Sequence, residues 1–364
     1  MTGIAAVRRR RAPLVALAVV VLFAGLWGGL IRLGLFTPTL LSVADAEHGP
    51  LMALGFLGTL ISLERAVALE RPWAHAAPLA AGSGALVALT GAPDALGPAL
   101  VSFAGLLLLG AHLALQRRQP SAHNLVMGLG AVAWCAAALD WMTGADASAF
   151  APLLAGFLVL TIVGERLELT RAAHRSQAVR RLLLAAIAVF CLGLGVSLGA
   201  ERIGLRIAGA GLLAQALWLA RYDIARRTVR IAGLTRYMAA ALLLGYVWLL
   251  CAAILWLVVP SLQDGPAYDA ELHAVFLGFV ISMIFAHAPV IVPAVLRVQL
   301  PYHRSFYAQL ALLHVSLAAR LIGGDLLGDH AAWRWGGAGN AIAILLFLAA
   351  TGLAVAGARR RGPP

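Results

Sequence analysis

Apolar runs of membrane-spanning length recur along almost the whole chain, and nothing else in the sequence limits the fold as strongly. They fall at roughly 12–36, 48–69, 76–92, 95–115, 124–143, 148–169, 182–200, 203–221, 237–259, 272–296, 306–323 and 338–357. About 20 consecutive apolar residues cross the hydrocarbon core as a helix, and a helix satisfies its own backbone polar groups in lipid. The pattern predicts an all-α polytopic membrane protein of about twelve transmembrane helices. Residues 1–364 then form a single transmembrane domain, with short loops and no extramembrane part.

Composition agrees with that reading. Of 364 residues, 62% are hydrophobic and 12% charged, with mean hydropathy +0.88. A soluble domain carries about twice that share of charge, so a soluble enzyme, a disordered chain and a secreted disulfide scaffold are excluded. Cys135, Cys191 and Cys251 all lie in apolar runs without a CxxC pair, which leaves no disulfide framework. Arg8 to Arg11 ahead of an apolar stretch resemble a signal peptide, but the long run without a clear small-residue cleavage site reads as an uncleaved first helix.

The net charge of +12 comes from 28 arginines and no lysine. With the N-terminus inside, alternate loops and their helix ends hold 23 of them, and the opposite face holds 5. That asymmetry is the positive-inside rule. It explains the charge through contact with the bilayer, with no nucleic-acid partner, and places both termini in the cytoplasm of a bacterial inner membrane.

A repeat links the second, sixth and tenth apolar segments. They read LGFLGTLISLERAVAL from Leu54, AGFLVLTIVGERLELT from Ala155 and LGFVISMIFAHAPVIV from Leu277. Gly55, Gly156 and Gly278 align, and nine residues later come Glu64, Glu165 and His287. The expected units of four helices are 12–115, 124–221 and 237–357.

Ionisable groups inside a bilayer are costly and mark functional positions. His48 and His273 open the second and tenth segments at their outer ends, each shortly after a glutamate, Glu47 or Glu271. Two imidazoles across a gap would ligate a haem iron, with the glycines admitting the flat ring. The alternative is a pair of interfacial histidines capping helices. His287 lies fourteen residues beyond His273, about 21 Å along one helix face. With Glu64, Glu165 and His314 it forms a second candidate set, for a metal or a proton relay. Local pairing of Glu64 and Glu165 with Arg65 and Arg166 competes with that reading. His75, His112 and His123 are expected to snorkel or cap. Arg334, between Trp333 and Trp335, is a candidate partner for haem propionates, or an interfacial anchor.

On these segments the chain resembles the NnrS family of membrane proteins. HGPLMALGF at His48, IVGERLELTR at Ile162, LLLGYVWL at Leu242 and ELHAVFLGF at Glu271 match its motifs in order. The resemblance implies twelve helices, haem and copper, and a role in nitric oxide metabolism and nitrosative stress. It also implies nitric oxide and a redox partner as interactors. His48 and His273 stand on the family's histidines. Gly49 and Pro50 replace a second His-Glu pair, which weakens the implication of copper. The architecture is also similar to the haem-copper oxidase catalytic subunit, whose low-spin haem is held from the second and tenth helices. The sixth and seventh segments here hold no histidine, so the residues for oxygen reduction are missing. A proton-coupled secondary transporter is the rival expectation, and a cofactor-free assembly factor a third.

Overall fold

A computed structural model describes residues 2–37, 44–90, 95–172, 176–259 and 263–360. No strand occurs among them. The chain is an all-α, multi-pass membrane protein. Its helices are α1 (Thr2–Arg32), α2 (His48–Leu69), α3 (Ala76–Val87), α4 (Leu96–Arg118), α5 (Ala122–Met142) and α6 (Ala147–Ala172). They continue with α7 (Gln177–Ser197), α8 (Glu201–Tyr222), α9 (Leu234–Val258), α10 (Gly265–Leu296), α11 (Phe306–Leu326) and α12 (His330–Arg360).

Among the described residues, eleven of these helices are long and apolar enough to cross a membrane. The exception is α3, where about twelve crossings were expected. Its α-helical part has 12 residues, or about 18 Å of rise. A 3₁₀ turn at Pro72–His75 precedes it and uses the fixed φ of proline to start the segment.

Three helices change winding midway. Leu51–Leu57 in α2, Ala274–Ile281 in α10 and Ala319–Leu326 in α11 are π-helical. Such wide turns are rare and concentrate at functional positions. Two of them contain the Gly-Phe pairs of the repeat, whereas the third pair, Gly156-Phe157, lies in continuous α-helix.

The helices form two compact units. The first spans Met1–Gly164 with Val295–Arg297, the second Glu165–Ala294 with Val298–Pro364. In the first, Trp134 of α5 is fully buried against Gly58 of α2, Gly105 of α4 and the ring of Phe157. Its indole donates to the Val101 carbonyl at 3.0 Å. In the second, α7 and α8 approach backbone to backbone. A Cβ on Gly193, Gly204 or Gly211 would collide with main-chain atoms of Ala208, Ser197 or Phe190. Small residues at contacts of this kind let helices pack in lipid, where no hydrophobic effect drives them together.

Candidate functional site

In the first unit, α1 carries Gly25, Gly28 and Gly29, and the start of α2 lies on that bare face. A Cβ on Gly25 would meet Met52, one on Gly28 the Ala44 carbonyl, and one on Gly29 the imidazole of His48. The His48 Nδ1 lies 2.7 Å from the Gly25 carbonyl oxygen. A carbonyl only accepts, so Nδ1 carries the proton and donates. The lone pair is then on Nε2, the form in which histidine ligates metals with a carbonyl behind it. The π-helical stretch begins three residues later, at Leu51.

Glu47 lies beside the indole of Trp141 on α5. Burial raises its carboxyl above the ordinary value, and the Trp141 hydrogen bond offsets part of that shift. Glu64 pairs locally with Arg65 at 2.7 Å. The repeat partner Glu165 is half-buried on α6 in the second unit. His112, expected to snorkel or cap, is instead 3% exposed and packed between helices. Its Nδ1 bonds the Asn124 side-chain oxygen at 2.9 Å, and Asn124 donates back to the His112 carbonyl at 2.9 Å.

In the second unit, His273 ends the α-helical start of α10, and its π stretch begins at the next residue, Ala274. The His273 Nδ1–H donates to the Asp269 carbonyl of its own helix at 2.7 Å, the same donor and acceptor types as at His48, whose carbonyl comes from α1. The Asp269 carboxylate is 3.4 Å from that nitrogen and accepts two bonds from Arg320, at 2.9 and 2.7 Å. Trp333 adds a third donor at 3.3 Å. Arg334 follows Trp333 in the first turn of α12 and is half-buried. Asp325, on the same π stretch as Arg320, lies beside Asp269 with one buried oxygen that has no hydrogen-bond partner. Two residues before His273, Glu271 is 3% exposed and accepts from the Trp256 indole of α9.

Deeper in the second unit, the His287 Nδ1–H donates to the Met283 carbonyl at 2.6 Å, and Nε2 accepts from Arg166 at 2.6 Å. Arg166 is 4% exposed. The repeat aligned His287 with Glu165, but it is the next residue, Arg166, that reaches the imidazole. His314 accepts from the Trp248 indole through Nδ1 at 2.8 Å, and its Nε2 lies 3.4 Å from the Ser282 hydroxyl. Both rings therefore hydrogen-bond through both nitrogens. Among the described residues, no three His, Cys, Asp or Glu side chains gather as a metal-binding group.

With Nδ1–H given to a carbonyl, the imidazole of His48 and that of His273 each have the donor chemistry of an iron ligand. The repeat glycines, expected to admit a haem ring, have protein neighbours: Val21 and Ala85 at Gly55, and Trp248 at Gly278. The glycine face that does receive an imidazole is on α1. Its signal was legible in the GLWGG spacing, which sequence reasoning passed over. Asp269 and Arg320 were also missed, since nothing local in the sequence joins residues 51 positions apart.

A family profile described as Domain of unknown function (DUF8744) matches residues 11–356, so the chain belongs to that family. No curated protein and no solved structure matches it.

Proposed function

We propose that this chain is a haem protein of the bacterial inner membrane, with His48 of the first unit and His273 of the second as candidate iron ligands and its arginine-rich loops in the cytoplasm. The observation that carries the reading is the shared chemistry of the two rings. Each donates Nδ1–H to a main-chain carbonyl, at 2.7 Å in both cases, and each stands just ahead of a π-helical stretch. A carbonyl behind Nδ1 fixes the tautomer and the ring plane, so little ordering remains to be lost when Nε2 binds iron. The missing side chain at Gly29 of α1 leaves the space that the His48 imidazole occupies. Bound haem would supply a one-electron couple whose potential depends on its axial ligands and their hydrogen bonds. Resemblance to the NnrS family directs the role towards nitric oxide response, with a redox partner and without the residues for oxygen reduction.

The test is an absorption spectrum of protein purified in detergent, oxidised and dithionite-reduced, beside His48→Ala and His273→Ala. A Soret band with sharp reduced α and β bands, lost or altered in each variant, is expected. Protein made with ample haem that shows no Soret band overturns the reading. A proton-coupled transporter is the second reading, supported by the buried Arg166–His287 bond within membrane-spanning helices. It requires colourless protein and proton-driven uptake that His287→Ala abolishes.

A further inference from the structure

We infer that Asp269 is a positioning residue for His273, held to that task by Arg320 and Trp333; the inference rests on the haem reading above. Asp269 precedes His273 by one helical turn and meets its ring twice. The main-chain carbonyl takes the Nδ1 proton at 2.7 Å, and carboxylate Oδ1 lies 3.4 Å from the same nitrogen. The carboxylate has no freedom to turn away. Arg320 grips both oxygens, Nε to Oδ2 at 2.9 Å and Nη2 to Oδ1 at 2.7 Å. A two-point guanidinium–carboxylate bond fixes orientation as well as distance. The Trp333 indole donates to Oδ2 at 3.3 Å, and the Arg320 guanidinium sits 5.5 Å from the Trp333 ring centre.

The backbone is shaped to bring these groups together. Arg320 lies in the π-helical stretch of α11, and Trp333 lies in the first turn of α12. A Cβ on Gly324 would strike the Trp333 main chain, and one on Gly336 would strike the Arg320 nitrogen. Glycine at both places lets the two helices close on Asp269.

A negative charge close behind Nδ1–H makes a histidine a stronger electron donor through Nε2, and here the carboxylate stands 3.4 Å from Nδ1 while the neutral carbonyl takes the proton. Asp269 therefore stabilises the ferric state at His273, and Arg320 and Trp333 moderate that push by withdrawing charge from the carboxylate. Removing Asp269 and removing its donors should move the haem in opposite directions. An ion pair that merely ties α10, α11 and α12 together would alter stability and leave the iron alone.

The experiment uses the purified haem-loaded protein. It reads the ferric low-spin EPR signal, the midpoint potential and the rate of haem transfer to apomyoglobin. Asp269→Asn, which keeps the carbonyl bond and removes the charge, is expected to raise the potential, change the g-anisotropy and speed haem loss. Asp269→Glu should recover part of each change. Trp333→Phe, which keeps the ion pair, should lower the potential and shift the EPR signal slightly. Unchanged EPR and haem loss in Asp269→Asn overturn the inference, even if the variant is less stable. Should that variant not fold, an unchanged EPR signal in Trp333→Phe overturns it instead. Absence of a Soret band in the unsubstituted protein is a separate outcome, since it removes the haem reading itself.

Discussion

At the scale of single residues, the buried carboxyls make the sharpest predictions. Glu271 and Trp256 are 3% and 1% exposed and bonded to each other. Trp256→Phe removes the donor and leaves a buried acceptor unpaired, a loss of about 1–3 kcal/mol. Thermal unfolding in detergent should show a lower midpoint, and an unchanged midpoint would mean the bond contributes nothing. Glu47 gives a pH dependence. Its carboxyl is raised above the ordinary 4.5 by burial, so the folded chain holds the proton more tightly than the unfolded chain. Stability from this group is present at low pH and is lost as pH rises from 4.5 through the raised value. Glu47→Gln should match the parent below pH 4.5, gain on it as pH rises through the raised value, and hold a constant advantage above it. A difference that does not change with pH through that rise would remove Glu47 as the cause. The sequence showed that both glutamates neighbour the candidate histidines. It could not show that each faces an indole, because those partners come from α5 and α9.

At the scale of elements, helix positions were readable because lipid imposes a minimum apolar length, and the segments marked by that length became helices. Winding was not readable. The Gly-Phe pairs look alike in sequence, yet Gly55 and Gly278 lie in π stretches and Gly156 does not. Which hydrogen-bond ladder forms depends on packing, as at Gly278 beneath Trp248. The α7–α8 hairpin offers a clean contrast between two glycines of one helix. Gly193→Ala places a Cβ into the Ala208 backbone, whereas a Cβ on Gly195 meets nothing within 4 Å. We expect the first to cost about 1–3 kcal/mol and the second to be neutral or stabilising, since alanine favours helix. Equal unfolding midpoints for the two variants would show that close approach does not hold this pair.

At the scale of the whole molecule, multi-pass architecture followed from the repeated apolar segments, while the contact pattern was hidden. The sequence repeat pointed to three sets of four helices, and the contacts gather into two units. The short α3 decides topology. The arginine pattern predicts both termini on one side; an even number of crossings would follow, and with eleven long apolar helices α3 would have to cross as well. Topology reporters fused after Arg71 and before Leu96 should report opposite faces, with Arg71 cytoplasmic. Reporters on the same face would make α3 a segment that returns without crossing. The winding of α10 also bears on how the molecule fits its bilayer. Its span has 32 residues, about 48 Å if wound as α throughout, against a hydrocarbon core of about 30 Å. Wide turns advance less per residue, so the π stretch stores chain length without adding height. Shedding one stored residue would swing everything before it by about 100° around the axis. The compass bearing of His273 is thus set by the winding count that follows it, and a one-residue deletion within Val275–Ile281 would re-aim the ring and carry Asp269 away from Arg320.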